Sequence, residues 1–521
     1  MGSVAGGKRF LVPSAQTSCP SYSTGTDLVA LFWLLFPLAV VAAPANPVAA
    51  AGGVWQRRSW KVLCFVVLPA LYLGMFKEFS VGRGTIVPPS LVIVGACMLL
   101  CIPFYALHFR RLRRFPLLLP VAWYFLAACI SGYHSVSHLH WLRGVLELGL
   151  AFCLLLLPYF FLHSRREIEL CLKVLVALAT ATVVFSMAQA VFFAPLRGLL
   201  QRLYRLQDLW WIVGWGWRGR LAGNWLHPSY LGSVLNVAAP FALLHYARAE
   251  AGRQRALALA YYLILAAGIT LTGTRTPLLA FLLSSVVFLL LAPCRRHIWR
   301  ALAGAVVVAV TLSMFHFRLA PPDVGSKALL PKSFSLAERL EFRNSKNAAT
   351  LDMRWITQGE ALRLFRASPL FGIGLRNYPD RARAADPMAE FSIHDSLVQN
   401  LAELGVFGLA AFLLLVICAL RADFRPPLSA FPELRPLRTA LFCSSAAILL
   451  ESLLENSLAI WQVLALFWLL RGVALVICEI QPRFSTAPDL PSSRSTQAGL
   501  IPARKTDCST RSKLPFAKAL Q

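Results

Sequence analysis

The sequence predicts an all-α, polytopic membrane protein, a helical bundle of about 12–13 transmembrane helices with one large helical loop facing outward. Three observations lead there. Hydrophobic residues make up 57% of the 521 and charged residues only 14%, whereas a soluble domain carries about a quarter charged residues. Apolar runs of spanning length recur at residues 86–108, 145–163, 169–194, 229–247, 276–293 and 397–420. A backbone in lipid has no water to satisfy its amides, so each run must be a helix. The third observation is the placement of charge. Arginines gather in short loops two spans apart: Arg57 and Arg58, then Arg110, Arg111, Arg113 and Arg114, then Arg165 and Arg166. The series continues with Arg248, Arg253 and Arg255, with Arg295, Arg296 and Arg300, and with Arg421, Arg425, Arg435 and Arg438. That alternation is the positive-inside pattern of cytoplasmic loops. The formal charge of +27 is therefore mostly a topology signal, and no nucleic-acid partner is expected.

In chain order, residues 1–27 read as a flexible N-terminal segment rich in Ser, Gly and Pro. No short apolar core with a cleavage site follows it, so it is expected to stay attached. Residues 28–316 hold the N-terminal transmembrane helices, with Pro44 and Pro47 interrupting the first apolar run so that a broken or re-entrant span fits there. Residues 317–395 form the large outward loop, residues 396–479 the C-terminal transmembrane helices, and residues 480–521 a basic tail with little to bury, expected to be disordered. Most of the twelve cysteines fall in expected spans, such as Cys97, Cys101, Cys129, Cys153 and Cys443, and read as small apolar core residues. No group of His, Cys or carboxylates has metal-ligand spacing on a plausible loop, so neither a metal nor another cofactor is expected.

Of three outward segments, 195–228, the short turn around Gly273–Thr276 and the loop 317–395, the first two carry arginines against the positive-inside pattern. Arg218 and Arg220 lie in Trp217-Arg-Gly-Arg-Leu-Ala-Gly-Asn-Trp-Leu-His-Pro228, just before a span. Arg275 lies in Thr272-Gly-Thr-Arg-Thr-Pro277, between two spans separated by almost nothing. A guanidinium near the bilayer is costly unless paired. One such arginine reads equally as a snorkelling interfacial residue; three from separate turns read as a shared site for an anion, since the planar fork of arginine suits phosphate oxygens. Gly219 and Gly223 would let backbone approach a ligand closely, and His227 joins the candidate binding residues.

The long loop contains an amphipathic helix over about 351–367, with Leu351, Trp355, Leu362 and Phe365 near one face and Pro369 and Gly372 ending it. It is expected to cover the protein below, and Arg354 is a candidate fourth phosphate contact as well as an ordinary solvated charge. His394 then precedes a span, with Asp395 or Ser396 as N-cap and Ser396 with Gln399 fitting a capping box. A helix N-terminus disfavours imidazolium whereas Asp395 beside it favours it, so an imidazole poised near neutral pH is available to take a proton from a hydroxyl. Its ordinary alternative is a capping or interfacial role.

At these residues the chain resembles the O-antigen ligase and polymerase superfamily of bacterial envelope glycan enzymes. Four stretches carry the resemblance in order: Arg220-Leu-Ala-Gly-Asn-Trp-Leu-His-Pro-Ser-Tyr-Leu-Gly232, Leu271-Thr-Gly-Thr-Arg-Thr-Pro-Leu-Leu279, Arg354-Trp through Ser368-Pro-Leu-Phe-Gly-Ile-Gly-Leu375, and His394-Asp-Ser-Leu through Glu403-Leu-Gly405. Glu451-Ser-Leu-Leu-Glu-Asn456, followed by apolar residues, also fits. Together they span residues 220–475; each is weak alone, and order and sidedness give them force.

The resemblance implies a glycosyltransferase of the bacterial inner membrane, with a periplasmic active site and periplasmic loop. Its donor would be a glycan on undecaprenyl diphosphate, and its acceptor the lipid A-core or another glycan. Carried over by motif, Arg220 and Arg275 would hold the diphosphate and His394 would act as general base, with Arg218, Arg354, His227 and Asp395 as further binding residues. Attack from the opposite face would invert the anomeric carbon. Two departures stand out. Asp395 follows the histidine where many members have Asn, and the pre-span segment offers both Arg218 and Arg220 for the phosphate. A ligase is favoured slightly over a polymerase, with a protein O-oligosaccharyltransferase behind them. A membrane transporter is the rival from another class; the chain shows no convincing internal repeat for one, and its candidate polar residues gather at one face.

Overall fold

The computed structural model describes residues 60–73, 79–81, 85–107, 109–192, 220–225, 227–250, 252–292, 295–314, 345–385, 393–424 and 433–485. The expected first span between residues 28 and 50, Arg218 and much of the 317–395 loop lie outside them. Within these limits the chain is an all-α membrane bundle. Its helices are α1 (Trp60–Tyr72), α2 (Pro89–Leu107), α3 (Phe109–Arg113), α4 (Leu118–Ile130), α5 (His138–Phe161), α6 (Arg165–Val191), α7 (Pro228–Arg248) and α8 (Gly252–Leu271). They continue as α9 (Arg275–Leu291), α10 (Arg295–Met314), α11 (Ser345–Ala367), α12 (Tyr378–Ala385), α13 (Ser396–Arg421), α14 (Arg435–Glu455) and α15 (Trp461–Ser485). A small antiparallel hairpin, β1 (Phe79–Val81) and β2 (Thr85–Val87), pairs Phe79 with Val87 ahead of α2.

Among the described residues, six helices are long and apolar enough to cross a membrane, and five shorter apolar ones stand beside them. The exposed apolar side chains agree with lipid contact. Leu119, Leu126, Leu290, Val307 and Ile417 are all more than half exposed, a pattern that water would penalise and hydrocarbon does not. Inside the bundle, close approach replaces bulk. A methyl group on Gly232 of α7 would meet Pro277 of α9 at 2.6 Å, so the glycine sets the distance between these two helices. Polar contacts then hold them: Asn236 Nδ2 donates to the Pro277 carbonyl at 2.8 Å and to the buried Glu451 of α14, and Ser444 Oγ donates to Val237 O at 2.8 Å. In lipid such groups have no alternative partner in water.

The bundle has two chemically different ends. At one, Arg165 and Arg248 share Glu169 at 2.9 and 3.2 Å, and Arg248 donates to the Glu433 backbone carbonyl at 2.9 Å. Nearby, Arg471 and Asp423, both fully buried, pair at 2.5 Å. Arg165, Arg248 and Arg438, from three of the arginine clusters read as cytoplasmic, lie at this end. At the other end lie the start of α7, the α8–α9 turn, the start of α13 and the finish of α14.

α13 contains the least regular feature. Its helical geometry breaks at Gly405 (φ 68°, ψ −170°), which leaves backbone groups unpaired. The loop after α11 satisfies them. Ile373 N donates to Ala402 O at 3.1 Å and Gly374 N to Glu403 O at 3.0 Å, while Val406 N donates to Pro369 O at 2.9 Å and Phe407 N to Leu370 O at 3.2 Å. The outer loop is thus stitched to the spanning helix by main-chain bonds, and irregular backbone is tolerated because protein covers it. Gly405→Ala places a methyl group 2.3 Å from Leu370 O in a conformation open essentially to glycine alone. It should lower stability by about 1–3 kcal/mol, read as a fall in the detergent melting temperature of the full chain.

Candidate functional site

The site is assembled from five pieces of chain that end at one face of the bundle. The segment before α7 is pinned to the α8–α9 turn, with Leu221 N donating to Leu271 O at 2.8 Å and Arg220 Nε to Thr272 O at 2.9 Å. The turn itself is tight. Thr272 Oγ1 donates to Ile269 O at 2.6 Å, Gly273 takes φ 60°, and Arg275 is the first residue of α9. The sequence-predicted Arg220 and Arg275 therefore emerge from two strips of chain bonded to each other. Gly223 has a different reason from the one the sequence suggested. Its φ is 55° and a methyl group there would meet Ser186 Oγ at 1.8 Å, so it is needed for packing on α6 rather than for close approach of a ligand.

His227 caps α7. Its Nδ1 accepts from Ser229 N at 3.3 Å and lies 2.5 Å from Ser229 Oγ, and its ring packs on Tyr230 with centroids 4.9 Å apart. Burial, aided by the charges of Arg220 and His394 and opposed by Glu455, pushes its pKa down to about 4. His227 is neutral at pH 7. It also lies within electrostatic reach of all three of those groups, which ties the α7 end to the α13 and α14 ends.

His394 and Glu455 meet there. His394 Nδ1 lies 3.6 Å from Glu455 Oε2, with the imidazole about one-third exposed and the carboxylate mostly buried. Glu455 Oε1 accepts from Arg354 Nη2, and Arg354 Nη1 also donates to Leu454 O at 3.1 Å. The donors of Arg354 proposed for phosphate are thus turned toward the end of α14. Its guanidinium still faces Arg275 closely enough for the two to repel. Asp395 is the N-cap of α13, its Oδ1 accepting from Leu397 N at 2.7 Å and Val398 N at 3.2 Å. That decides between the two caps the sequence offered. Ser396, in place of capping, donates to Asn456 Oδ1 at 2.6 Å.

α11 covers this end as expected, although the sequence misplaced its packed side. Ala361 and Leu364 are buried with Tyr378, Ala382, Ile393 and Ala402, whereas Trp355 is 72% exposed and Leu362 also faces outward. Ala361 lets the helix lie close to α13, and Trp355 on the outward side suits a membrane interface.

Sequence reasoning missed a second buried charge group behind His394. Arg376, at φ 63°, pairs through Nη2 with Glu147 Oε2 at 2.5 Å, and Arg143 holds Oε1 of the same carboxylate at 2.8 Å. Burial works against the Arg376 charge, but Glu147 and Glu403 outweigh it and raise its pKa. Gln399 Nε2 donates to Glu403 Oε2 at 3.1 Å and Tyr378 N to Oε1 at 3.3 Å. Glu147, Arg376, Gln399 and Glu403 line a cavity of about 60 Å³ that reaches Ser396 and Asn456, room for about two waters. Glu147 lies in an apolar run of sequence, and no local pattern announces its distant partner Arg376.

The His227 displacement has a consequence for acid stability. The unfolded imidazole titrates near 6.5 and the folded one near 4, so the unfolded chain takes up the proton first. Stability is intact above about pH 6.5 and falls as pH drops toward 4, by on the order of 2 kcal/mol once partial exposure is allowed for. Melting temperatures across this window should show His227→Gln losing less than the wild type.

Residues 260–413 match a protein-family model described as O-antigen ligase. No curated protein matches the chain. The matched segment runs from α8 into α13 and contains Arg275, Arg354 and His394. Over that segment of the multi-pass helical chain, the sequence is similar to the O-antigen ligase family.

Proposed function

We propose that the chain is an O-antigen ligase-type glycosyltransferase. In this reading it moves a glycan from undecaprenyl diphosphate to a sugar hydroxyl of the lipid A-core at the periplasmic face of the inner membrane. One observation carries the proposal most directly: Arg220, His227, Arg275, Arg354 and His394 converge on one end of a membrane bundle within electrostatic reach of one another or of Glu455. A cation excess at a bilayer surface suits an amphiphile with a polyanionic head.

The chemistry follows from the parts. Arg220 and Arg275 hold the diphosphate and stabilise the negative charge that grows on it as the bond to the anomeric carbon breaks. His394 accepts the proton of the acceptor hydroxyl, whose oxygen attacks the anomeric carbon from the face opposite the diphosphate. The carbon–oxygen bond to the carrier breaks, its electron pair leaves with undecaprenyl diphosphate, and the new glycosidic bond has inverted configuration. The proton on His394 is then released to water. Neutral His227 adds no further cationic charge, and its place beside Arg220 suits it to line the sugar-diphosphate junction.

The test is the glycolipid profile of a deletion strain complemented with variants, with lipopolysaccharide and carrier-linked glycan resolved by size. His394→Ala and Arg275→Ala are expected to leave the core bare while long polymer accumulates on the carrier, each with at least about 10²-fold less transfer. A core capped by single repeat units in the deletion strain would instead identify a polymerase, and an unchanged profile with His394→Ala would remove the base assignment. Arg275→Lys should restore part of the activity, because charge survives while the bidentate fork is lost.

A further inference from the structure

His394 Nδ1 faces Glu455, and the residues around Glu455 are arranged to keep it there. α14 ends at Glu455, and Asn456 turns the chain in the left-handed conformation at φ 49°. From that turn Asn456 binds both flanks of the histidine. Its Nδ2 donates to Ile393 O at 2.9 Å, and its Oδ1 accepts from Ser396 Oγ at 2.6 Å. The same Nδ2 reaches Gln399 Oε1. The second oxygen of Glu455 is held by Arg354 from α11, so the carboxylate cannot rotate away from the imidazole without breaking an ion pair. Three independent elements, α11, α14 and the segment leading into α13, thus fix one contact.

We infer that Glu455 is a positioning residue for His394, with Asn456 fixing the chain around the imidazole and Arg354 fixing the carboxylate. The inference rests on the ligase-type reading above. A carboxylate at Nδ1 selects the tautomer with hydrogen on Nδ1, which leaves the Nε2 lone pair for the acceptor hydroxyl, and it stabilises the imidazolium formed when that proton arrives. At 3.6 Å the pair is in ionic contact, and a small ring rotation brings it within hydrogen-bond range. No proton is passed to Glu455; the acceptor proton stays on Nε2 until water takes it.

The surroundings define what a pH profile reports. Facing His394 and Glu455 are Arg354 on α11, Asp395 at the start of α13 and His227 ahead of α7. Arg275 faces Arg354 from α9. Removing the Glu455 charge takes away an anion beside the imidazole, so its conjugate acid becomes harder to form.

The experiment compares wild type, Glu455→Gln, Glu455→Asp and His394→Ala. Each is the purified full chain in detergent, with undecaprenyl-diphosphate-linked glycan as donor and core-only lipid A glycolipid as acceptor. Glu455→Gln is expected to lower kcat about 10²-fold with little change in either KM, and to move the acidic limb of the kcat–pH profile to lower pH. Glu455→Asp, which keeps the charge, should recover a substantial part of kcat. Melting temperatures confirm that each variant is folded. Wild-type kcat in Glu455→Gln while His394→Ala is inactive would overturn the positioning role and leave the base assignment standing. Equal losses in Glu455→Gln and Glu455→Asp, with no movement of the acidic limb, would also overturn it by marking Glu455 as structural. Activity in His394→Ala would sink the base assignment itself, an outcome separate from the other two.

Discussion

Charge near a bilayer is stable only where it is paired or reaches water, and that constraint places nearly everything of interest in this chain. The apolar lengths of the helices are chemically plain. The groups that would be costly there are either locked in pairs, as Arg471 is with Asp423, or drawn to the helix ends. At the end formed by α7, α9, α13 and α14, the Arg354 guanidinium and the His394 and His227 imidazoles gather near the Glu455 carboxylate, with Arg275 close to Arg354. Cationic groups in that position are stable beside water and lipid headgroups, and an arriving anion would offset their charge. The proposed diphosphate is therefore the electrostatic complement of the fold as well as its substrate.

The same constraint explains why the fold was legible and part of the site was not. Apolar length and arginine alternation predict spans because the bilayer acts on every residue of a span alike. The spans met by the runs at 145–163, 169–194 and 397–420, the position of Arg275 between two spans and the covering helix expected over about 351–367 all follow from such local signals. Pairing across the chain leaves no local trace. Glu147 and Arg376 are 229 positions apart and His394 and Glu455 are 61 apart, so neither contact has a spacing to read. The packed side of α11 was misjudged because the sequence pattern ranks Trp355 and Leu362 as core, whereas contact with α13 selects Ala361 and Leu364. Leu362 and Leu364 are the same residue type on two sides of one helix, so side-chain type alone does not say which side packs, and a large ring such as that of Trp355 has a second favourable place at a membrane interface.

The break in α13 connects these points. A continuous helix would carry its amides past Gly405 and leave nothing for the outer loop to bind. By exposing the Ala402 and Glu403 carbonyls, the break gives Ile373 and Gly374 their acceptors, and through them anchors the loop from α11 onward. Arg376 is delivered by that loop to Glu147, and Arg354 is delivered by α11 to Glu455. Two buried carboxylates thus receive their cations from one docked segment. The segment is therefore part of the site's electrostatics, and its displacement would leave both Glu147 and Glu455 with less compensation.

Such coupling has a mechanistic consequence under the proposed reading, in which both substrates are amphiphiles. The acceptor and the carrier would then approach the same end of the bundle, one of them beside His394. Because Arg354 binds Glu455 while repelling Arg275, its position weighs on the carboxylate behind the base and on the cation beside the proposed diphosphate. An anion between Arg275 and Arg354 would relieve their repulsion and hold α11 more firmly, which in turn would steady Glu455 against His394. Donor binding would then favour the geometry in which the base is oriented, through charge balance alone and without a large movement of the helices.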